Sequence, residues 1–545
     1  MAVAGQPVRL ADIAAGNGGY EIRGEAAGDG VGGSIAAIRD LNGDARPEVL
    51  VGALGNDAAG AGAGAAYVAW GKADGTPVRL AEVAAGRGGY RILGEAAGDQ
   101  AGSRVTQIGD LNGDGRPEVL VGAGSNGGDF AGAAYVVWGK ADGAAVRLAD
   151  VAQGVGGYKI VGPASYALAG QGLGSAGDMN GDGLPEVLVG APGPNGSGIY
   201  VAWGRRGGGG PVSLAEVAAG QGGGFRILSE SGGDEVGRAL ASIADLNGDG
   251  LPEILVGASR NDAGGNDAGA AYVVWGKADG TPVRLADVAT GQGGFKILGG
   301  TLLELAGSDV APVGDLNGDG KPEILVGAYG STTPYAAYVI WGKGDGTPVR
   351  LADAATGQGG YGILQGALSD YGGREVGSVG DLNGDGRPET LVSALYDSTI
   401  GVVSGSLYLA FGRGDGATVD LARIAAGTGE GTRILGRGAN DFAGRSPGGI
   451  GDLDGDGREE VLLGSDGGAG TAYVVFSREL VAAAGQPAPA VDWNALAAQV
   501  QANFAATGQW YGGPGSPVVD PQQTDWDLVA GIVTRHFEET GRWFL

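Results

Sequence analysis

Hydrophobic positions along the chain fall in short runs of four to six residues, which Gly- and Asp-rich turns separate. In one stretch these runs are Ser103–Ile108, Glu118–Ala123, Ala133–Trp138 and Tyr158–Val161. Short runs of β-branched and aromatic residues between turn residues are typical of antiparallel strands. The segment 146–152, between the last two runs, predicts a short helical turn. The pattern therefore predicts a four-stranded antiparallel sheet.

This unit recurs along most of the chain. A nine-residue acidic loop follows its first strand and begins at Asp40, Asp110, Asp178, Asp245, Asp315, Asp381 and Asp452. The steps between these positions are 70, 68, 67, 70, 66 and 71 residues. So regular a period indicates a repeat architecture, and seven four-stranded blades around one axis form a β-propeller. We predict an all-β fold, a seven-bladed β-propeller.

The two ends of the repeat predict how the ring closes. The seventh unit has a third strand, Thr471–Phe476, and no fourth strand after it, whereas the chain begins with a spare fourth strand at Gly19–Ile22. Pairing these segments would remove the open edges of the ring. We expect the propeller over residues 1–478, a linker over 479–491 and a small α-helical tail over 492–545. The tail is a duplication, because Asp492-Trp493 recurs as Asp525-Trp526 with similar residues after each pair.

The acidic loop has the composition of a metal site. In the second copy Asp110, Asn112, Asp114 and Glu118 stand at positions 1, 3, 5 and 9, and the carbonyl of Arg116 at position 7 adds a further oxygen. Six to eight hard oxygen donors suit Ca²⁺. A plain turn needs the glycines but not three carboxylates. We therefore predict up to seven Ca²⁺ ions.

The predicted ligands are the residues at positions 1, 3, 5, 7 and 9 of every loop. They are Asp40, Asn42, Asp44, Arg46, Glu48, Asp110, Asn112, Asp114, Arg116, Glu118, Asp178, Asn180, Asp182, Leu184, Glu186, Asp245, Asn247, Asp249, Leu251, Glu253, Asp315, Asn317, Asp319, Lys321, Glu323, Asp381, Asn383, Asp385, Arg387, Glu389, Asp452, Asp454, Asp456, Arg458 and Glu460. The first loop is the weakest candidate, because Ala45 replaces a glycine that needs a left-handed backbone. The seventh loop is the most acidic.

Composition narrows the classes of partner and of chemistry. The net charge is −27, and the seven loops supply −18 of it, so nucleic acid is an unfavourable partner. The absence of cysteine excludes disulfides and thiol catalysis, and a single histidine excludes a multi-histidine metal site. No run of about 18 apolar residues predicts a membrane span. Residues 1–10 lack the regions of a signal peptide, so we expect export without one.

The run Gly109–Ala123, together with Ala134–Gly139, resembles the FG-GAP repeat. That repeat builds the seven-bladed propeller of integrin α subunits and of many secreted bacterial calcium-binding proteins. The resemblance extends over about residues 5–478. It departs from the family pattern in the final loop carboxylate, which is Glu where the family usually has Asp. Coordination at position 9 is therefore expected to differ in detail.

The resemblance implies a non-enzymatic extracellular or cell-surface adhesion module without catalytic residues. Its protein or glycan ligand would bind the ion-free face, at loops such as Leu54–Gly64, Ser259–Gly269 and Tyr329–Pro334, which contain few aromatic residues. One alternative is a lectin-like propeller that binds carbohydrate. A polysaccharide-acting enzyme is the less favoured alternative, because no cluster of acid, base and Lys/Arg breaks the sevenfold pattern. The tail is expected to bind a partner of its own, whose identity the sequence does not give.

One aromatic pattern recurs in the third strand of each unit, for example Tyr67 and Trp70. Residues three apart in a strand point to opposite faces, so each blade offers a large ring to both neighbours. We expect these rings to form the core between blades, and carbohydrate stacking is the alternative.

Overall fold

The computed structural model describes residues 5–195, 198–221, 223–330, 332–366, 370–467 and 470–484. Within them the chain forms seven separate sheets, each built on four antiparallel strands. The predicted seven-bladed propeller is confirmed. The predicted helical tail lies outside the described residues. Of the predicted linker only residues 479–484 are described, and most of them belong to a helix, so these boundaries stay predictions.

Each blade follows the order predicted from the hydrophobic pattern, with the bounds of the strands correct to within about a residue. The first strands are Ile35–Ile38, Arg104–Ile108, Gly172–Ser175, Leu240–Ile243, Ala306–Val313, Val376–Val379 and Arg445–Gly449. The second strands are Glu48–Ala53, Glu118–Ala123, Val187–Ala191, Glu253–Ala258, Glu323–Ala328, Glu389–Ala394 and Val461–Ser465. The third strands are Ala65–Ala69, Ala133–Val137, Gly198–Ala202, Ala270–Val274, Tyr335–Ile340, Ser406–Ala410 and Thr471–Val475.

The fourth strands complete the blades and close the ring. For blades one to six they are Gly89–Leu93, Gly157–Val161, Gly224–Leu228, Gly294–Leu298, Gly360–Leu364 and Gly431–Leu435. Blade seven takes its fourth strand from the start of the chain, because Gly19–Arg23 pairs antiparallel with Thr471–Val475. The register runs from Gly19 opposite Val475 to Arg23 opposite Thr471. Closure by the N-terminal strand is confirmed.

Each sheet also has a fifth strand of two residues, which the sequence did not predict. These strands are Val8–Arg9, Val78–Arg79, Val146–Arg147, Val212–Ser213, Val283–Arg284, Val349–Arg350 and Val419–Asp420. Each pairs in parallel with the fourth strand of the preceding blade; Val146, for example, lies opposite Ile92. Each connection from a third to a fourth strand therefore covers the outer edge of its neighbour.

A short helix follows each fifth strand, and one more follows the last blade. The helices are Leu10–Ala14, Leu80–Ala84, Leu148–Val151, Leu214–Ala218, Leu285–Val288, Leu351–Ala354, Leu421–Ala425 and Ser477–Ala483. The helical turn predicted over 146–152 is thus a two-residue strand followed by a helix. Apolar residues at the first and fourth positions of these helices are buried, as Leu148 and Val151 are.

The hydrophobic core lies between blades. Tyr67 packs in a cluster with Val51 of its own blade and Leu462 of blade seven. Trp70 packs on the other side, against a cluster that contains Val119 of blade two. The two rings of one strand therefore serve two interfaces, as predicted. Tyr67 is fully buried, so it is not available for stacking on a sugar.

Candidate metal centres and the opposite face

The acidic loops join the first and second strands, so all seven lie on one end of the blades, which we call the acidic face. In the second loop Asp110 accepts hydrogen bonds from the backbone N–H groups of Gly113 and Gly115, at 2.6 and 2.7 Å. Asn112 accepts one from Asp114 N–H at 2.8 Å. Side chains that bond to nearby backbone in this way fix a tight turn. The loop therefore winds around its own acidic side chains.

The first loop keeps this shape despite the alanine. Ala45 adopts φ 69°, and its N–H donates to Asp40 at 2.8 Å, as the glycine of the second loop does. A left-handed conformation costs an L-residue about 1–2 kcal/mol. The first loop adopts this conformation despite that cost, and the Ala45–Asp40 hydrogen bond is retained.

The final glutamate of each loop is fully buried. In the second loop one oxygen of Glu118 accepts the N–H groups of Leu111 and Asn112, at 3.1 and 3.2 Å. The other oxygen accepts the N–H of Gly139, which follows the third strand, at 2.7 Å. Burial raises the pKa of Glu118 to about 7, while these N–H donors act in the opposite direction. In the first six loops this carboxylate therefore ties the loop to the third strand.

The glycine that meets this carboxylate has little space around it. A Cβ atom on Gly139 would lie 2.1 Å from the carbonyl oxygen of Pro117 and 2.7 Å from Leu41 of the preceding blade. Blade seven departs from this arrangement, because Ser477 stands at the matching position and begins a helix.

The seventh loop differs from the other six in how close its carboxylates lie and in the partners of its final glutamate. The ligand atoms of Asp452, Asp454, Asp456 and Glu460 lie within 4.8 Å of one another. Among the described residues, this is the one group of three or more His, Cys, Asp or Glu side chains whose ligand atoms all lie within that distance. Glu460 accepts a single N–H, from Leu453 at 2.6 Å, and its other oxygen is buried without a hydrogen-bond partner. Burial and the three neighbouring carboxylates raise the pKa of Glu460 to about 8.

Asp454 replaces the asparagine of the other six loops and is nearly inaccessible, with 4% of its side chain exposed. One of its oxygens lies 3.1 Å from Arg478 Nη1, without the alignment of a hydrogen bond. Four converging carboxylates against one guanidinium leave an excess of negative charge. Oxygen donors of this number and kind suit a hard divalent cation. The residues of the seventh loop therefore fit a bound cation.

The loops between second and third strands, and those between fourth and first strands, lie at the other end of the blades, which we call the opposite face. Nine large hydrophobic side chains are exposed in the described part of the chain, and eight of them lie on these loops. They are Leu54, Phe130, Tyr166, Leu302, Leu303, Tyr371, Tyr396 and Val402. Apolar exposure is thus concentrated opposite the acidic loops.

Two aromatic groups stand out on this face. The rings of Phe130 and Tyr166 stack with centroids 5.9 Å apart. Tyr396 contacts both Tyr371 and Phe442, at 5.3 and 6.1 Å. This face carries more aromatic rings than the sequence predicted, because three of the five come from loops between fourth and first strands. Those loops recur in every unit, but the positions of these rings carry non-aromatic residues in most units, so the repeat pattern did not single them out.

Several of these aromatic residues have unusual backbone conformations. Phe130, Tyr166, Tyr371 and Phe442 have φ values of 58°, 60°, 48° and 51°. The same left-handed conformation recurs at the matching positions of other blades, as at Gln100, Leu168, Glu235 and Leu305, so it belongs to the repeat and not to the aromatic residues alone.

Tyrosine hydroxyls beneath this face belong to a polar network that recurs between blades. The Tyr67 hydroxyl donates to Glu25 at 2.6 Å, and Arg91 donates to the same carboxylate at 3.0 Å. Tyr135, Glu95 and Lys159 repeat the arrangement one blade further on. These buried charges are paired, so the network holds the loops in place.

Seven blades arranged in a ring form a seven-bladed β-propeller. Each repeat carries, after its first strand, an acidic loop that resembles a calcium-binding loop. The FG-GAP-like repeat model matches residues 40–121 and 315–392, and the FG-GAP repeat model matches residues 170–214 and 236–274. The chain therefore contains FG-GAP repeats, and its propeller is similar to that of integrin α subunits.

Known proteins with similar sequences include integrin α subunits, which agrees with the match to FG-GAP repeats. Integrin alpha-6 of Gallus gallus is 30% identical over 222 residues, which cover 39% of this chain and 17% of that protein. Integrin alpha pat-2 of Caenorhabditis elegans is 28% identical over 245 residues, which cover 42% of this chain and 18% of that protein. The match thus spans less than a fifth of either relative.

A rhamnogalacturonan lyase of Bacillus licheniformis resembles the structure weakly, with a TM-score of 0.36 and 15% identity over 85% of this chain and 76% of the lyase. A likeness this weak carries no argument about activity. Among the described helices, none is long and apolar enough to cross a membrane.

Proposed function

We propose that this chain is a non-enzymatic binding module in which Ca²⁺ stiffens the acidic face and a ligand docks on the opposite face. The observation that carries the proposal is the division of the surface between the two ends of the blades. Every acidic loop lies at one end, and of the nine large hydrophobic side chains exposed among the described residues, eight lie at the other. Exposed apolar side chains gathered on one surface are typical of interaction sites.

The proposed calcium ligands remain the side chains at loop positions 1, 3 and 5, the carbonyl at position 7 and the final carboxylate. The seventh loop has the strongest support, because a buried oxygen of Glu460 has no hydrogen-bond partner. In the other six loops the final glutamate already accepts three N–H groups, as Glu118 does. We propose that the seventh loop binds the ion most tightly.

The proposed location is extracellular or at the cell surface. Calcium modules outside cells bind at about 10⁻⁴–10⁻³ M. Loops of that affinity fill outside the cell and not in the cytosol, so binding would stabilise the propeller after export.

Calorimetric titration of CaCl₂ into the full chain, freed of calcium by EDTA and dialysis, tests the proposal. We expect saturable heat and a higher melting temperature, with the tightest class of sites lost in Asp456→Asn. Glu82→Gln is the matched control, because it removes one exposed charge outside the acidic loops. Absence of heat in the unsubstituted chain would overturn the calcium assignment.

A lectin-like role is the second candidate, because exposed tyrosine rings such as Tyr371 and Tyr396 suit stacking on sugars. A glycan array probed with the calcium-loaded chain separates the two. Glycan binding that Tyr396→Ala abolishes would favour the lectin, and an array without signal would favour a protein ligand.

A further inference from the structure

The central channel opens on the opposite face through a funnel that arginines line. This mouth is a cavity of about 530 Å³, and five arginines from four blades or their adjoining loops form part of its wall. They are Arg104, Arg238, Arg260, Arg374 and Arg445. A second cavity, of about 200 Å³, lies along the first strands of all seven blades and shares Arg104, Arg238, Asp309 and Glu375 with the mouth. The two cavities therefore form one funnel on the axis of the ring.

The funnel is positively charged in a strongly acidic molecule. Its mouth combines five arginines with three carboxylates, those of Glu235, Asp309 and Glu375, and Asp466 pairs with Arg445 beside it, for a formal charge of +1, whereas the chain carries −27. Burial raises the pKa of Asp309, while the nearby charge of Arg104 acts in the opposite direction. A cleft lined by one sign of charge concentrates ligands of the opposite sign.

Pairing within the wall leaves part of this charge uncompensated. Glu235 lies 3.1 Å from Arg260 and 4.0 Å from Arg238, so one carboxylate serves two guanidinium groups. Among the described residues, neither Arg104 nor Arg374 has an ion-pair partner within 4.0 Å.

The two arginines without ion-pair partners are held by other contacts. Arg374 lies over the ring of Tyr329, 5.4 Å from its centroid, and Arg104 Nε donates to the carbonyl of Gln171 at 3.3 Å. Arg445 differs, because Glu375 and Asp466 lie 2.8 and 3.0 Å from it. The guanidinium groups of Arg104 and Arg374 are therefore positioned without a direct ion pair, and the Asp309 carboxyl is near enough to Arg104 to feel its charge.

We propose that this funnel binds a carboxylate-bearing segment of a partner protein. The proposal rests on the function proposed above and names the ligand chemistry of its opposite face. Guanidinium groups match carboxylates with two parallel hydrogen bonds, which favours them over other cations at such sites. A cavity of this size falls in the usual range of about 300–1,000 Å³ for a binding pocket.

Two features favour a protein segment over an acidic polysaccharide. Aliphatic side chains such as Leu54, Leu302 and Val402 are exposed on the same face, and these suit protein side chains rather than sugar rings. The funnel also lies on the axis of the ring, where an acidic side chain or chain end fits more readily than a long polymer.

Fluorescence anisotropy with labelled hexaglutamate tests the proposal on the full chain at a fixed excess of free Ca²⁺. We expect binding that salt weakens, that hexalysine does not reproduce, and that falls at least tenfold in Arg104→Gln/Arg374→Gln. Arg374→Gln alone should lose at least threefold, and it keeps the contact of Arg104 with Gln171. Arg79→Gln, an exposed arginine of a fifth strand, should change affinity less than twofold.

The same samples are titrated with CaCl₂ and with oligogalacturonate. Calcium binding without any hexaglutamate binding overturns the funnel assignment and leaves the calcium module standing, whereas absence of calcium heat overturns the proposed function itself. Binding of oligogalacturonate but not of hexaglutamate overturns the protein segment as ligand. Equal affinity in the Arg79→Gln and Arg104→Gln/Arg374→Gln chains overturns the role of these arginines.

Discussion

The seventh acidic loop and the six before it share a sequence pattern but use their last carboxylate differently. In the second loop Glu118 accepts three backbone N–H groups and ties the loop to the third strand. In the seventh, Glu460 accepts one, and its other oxygen is buried and unpartnered near three aspartates. The difference coincides with two substitutions, Asp454 for the asparagine of the other loops and Ser477, which begins a helix, for their glycine. The same residue type is therefore structural in six loops and available to a cation in one.

The largest expected effect separates these two glutamates without calcium. In EDTA, Glu118→Ala leaves three buried N–H groups without an acceptor, at about 1–3 kcal/mol each, so we expect a loss of at least about 3 kcal/mol in the free energy of unfolding. Glu460→Ala removes one acceptor and also relieves repulsion, so it should cost less than about 1 kcal/mol. Urea unfolding of both variants measures the difference. Equal losses would contradict the distinction.

Calcium should make the chain far more sensitive to the loss of Glu460. Free Ca²⁺ at 100 times its Kd stabilises a folded chain by about 2.7 kcal/mol per site. We expect Glu460→Gln to lose most of the rise in melting temperature that the tightest site supplies. Differential scanning calorimetry with and without CaCl₂ measures the rise, and Glu479→Gln, close by in the last helix, serves as the charge-matched control. An undiminished rise in Glu460→Gln would place the tight site in another loop.

Exchanging the residue at position 3 between the seventh and second loops tests whether that residue sets the affinity for the ion. Asp454→Asn gives the seventh loop the amide of the others, and we expect about a tenfold weaker Kd for its ion, which is about 1.4 kcal/mol. Asn112→Asp makes the opposite change in the second loop and should tighten binding there. Calorimetric titration of both variants checks the pair. Equal shifts of the same sign would show that position 3 does not set affinity.

The smallest effect concerns the first loop. Ala45 has φ 69°, so Ala45→Gly should stabilise the chain by about 1 kcal/mol, because glycine adopts this conformation without steric cost. Ala144→Gly, at an exposed turn, is the control. Urea unfolding measures both, and a destabilised Ala45→Gly chain would contradict the expected relief.

The sequence predicted the repeat, the four main strands of each blade and the closure by Gly19–Arg23, because each of these repeats in register. It did not predict the fifth strands, since two residues such as Val146 and Arg147 carry no periodicity and pair with another blade. The bonds of Glu118 to Gly139 also escaped prediction, because they join residues 21 positions apart.

The arginine funnel was missed for a related reason. Arg238, Arg374 and Arg445 share one repeat position, seven residues before the first Asp of the next acidic loop, but the sequence does not show that this position faces the axis. Repetition therefore revealed the scaffold and the acidic loops. The convergence of these side chains on one axis had to be read from the structure.

The opening segment of the chain serves two blades at once. Val8–Arg9 edges blade six, and Gly19–Arg23 completes blade seven. Within the propeller these residues are made before the other strands, yet their partners at 434–435 and 471–475 follow more than 400 residues later. Gly19–Arg23 can pair early with Val78–Arg79, but the ring closes only after the third strand of blade seven has been made.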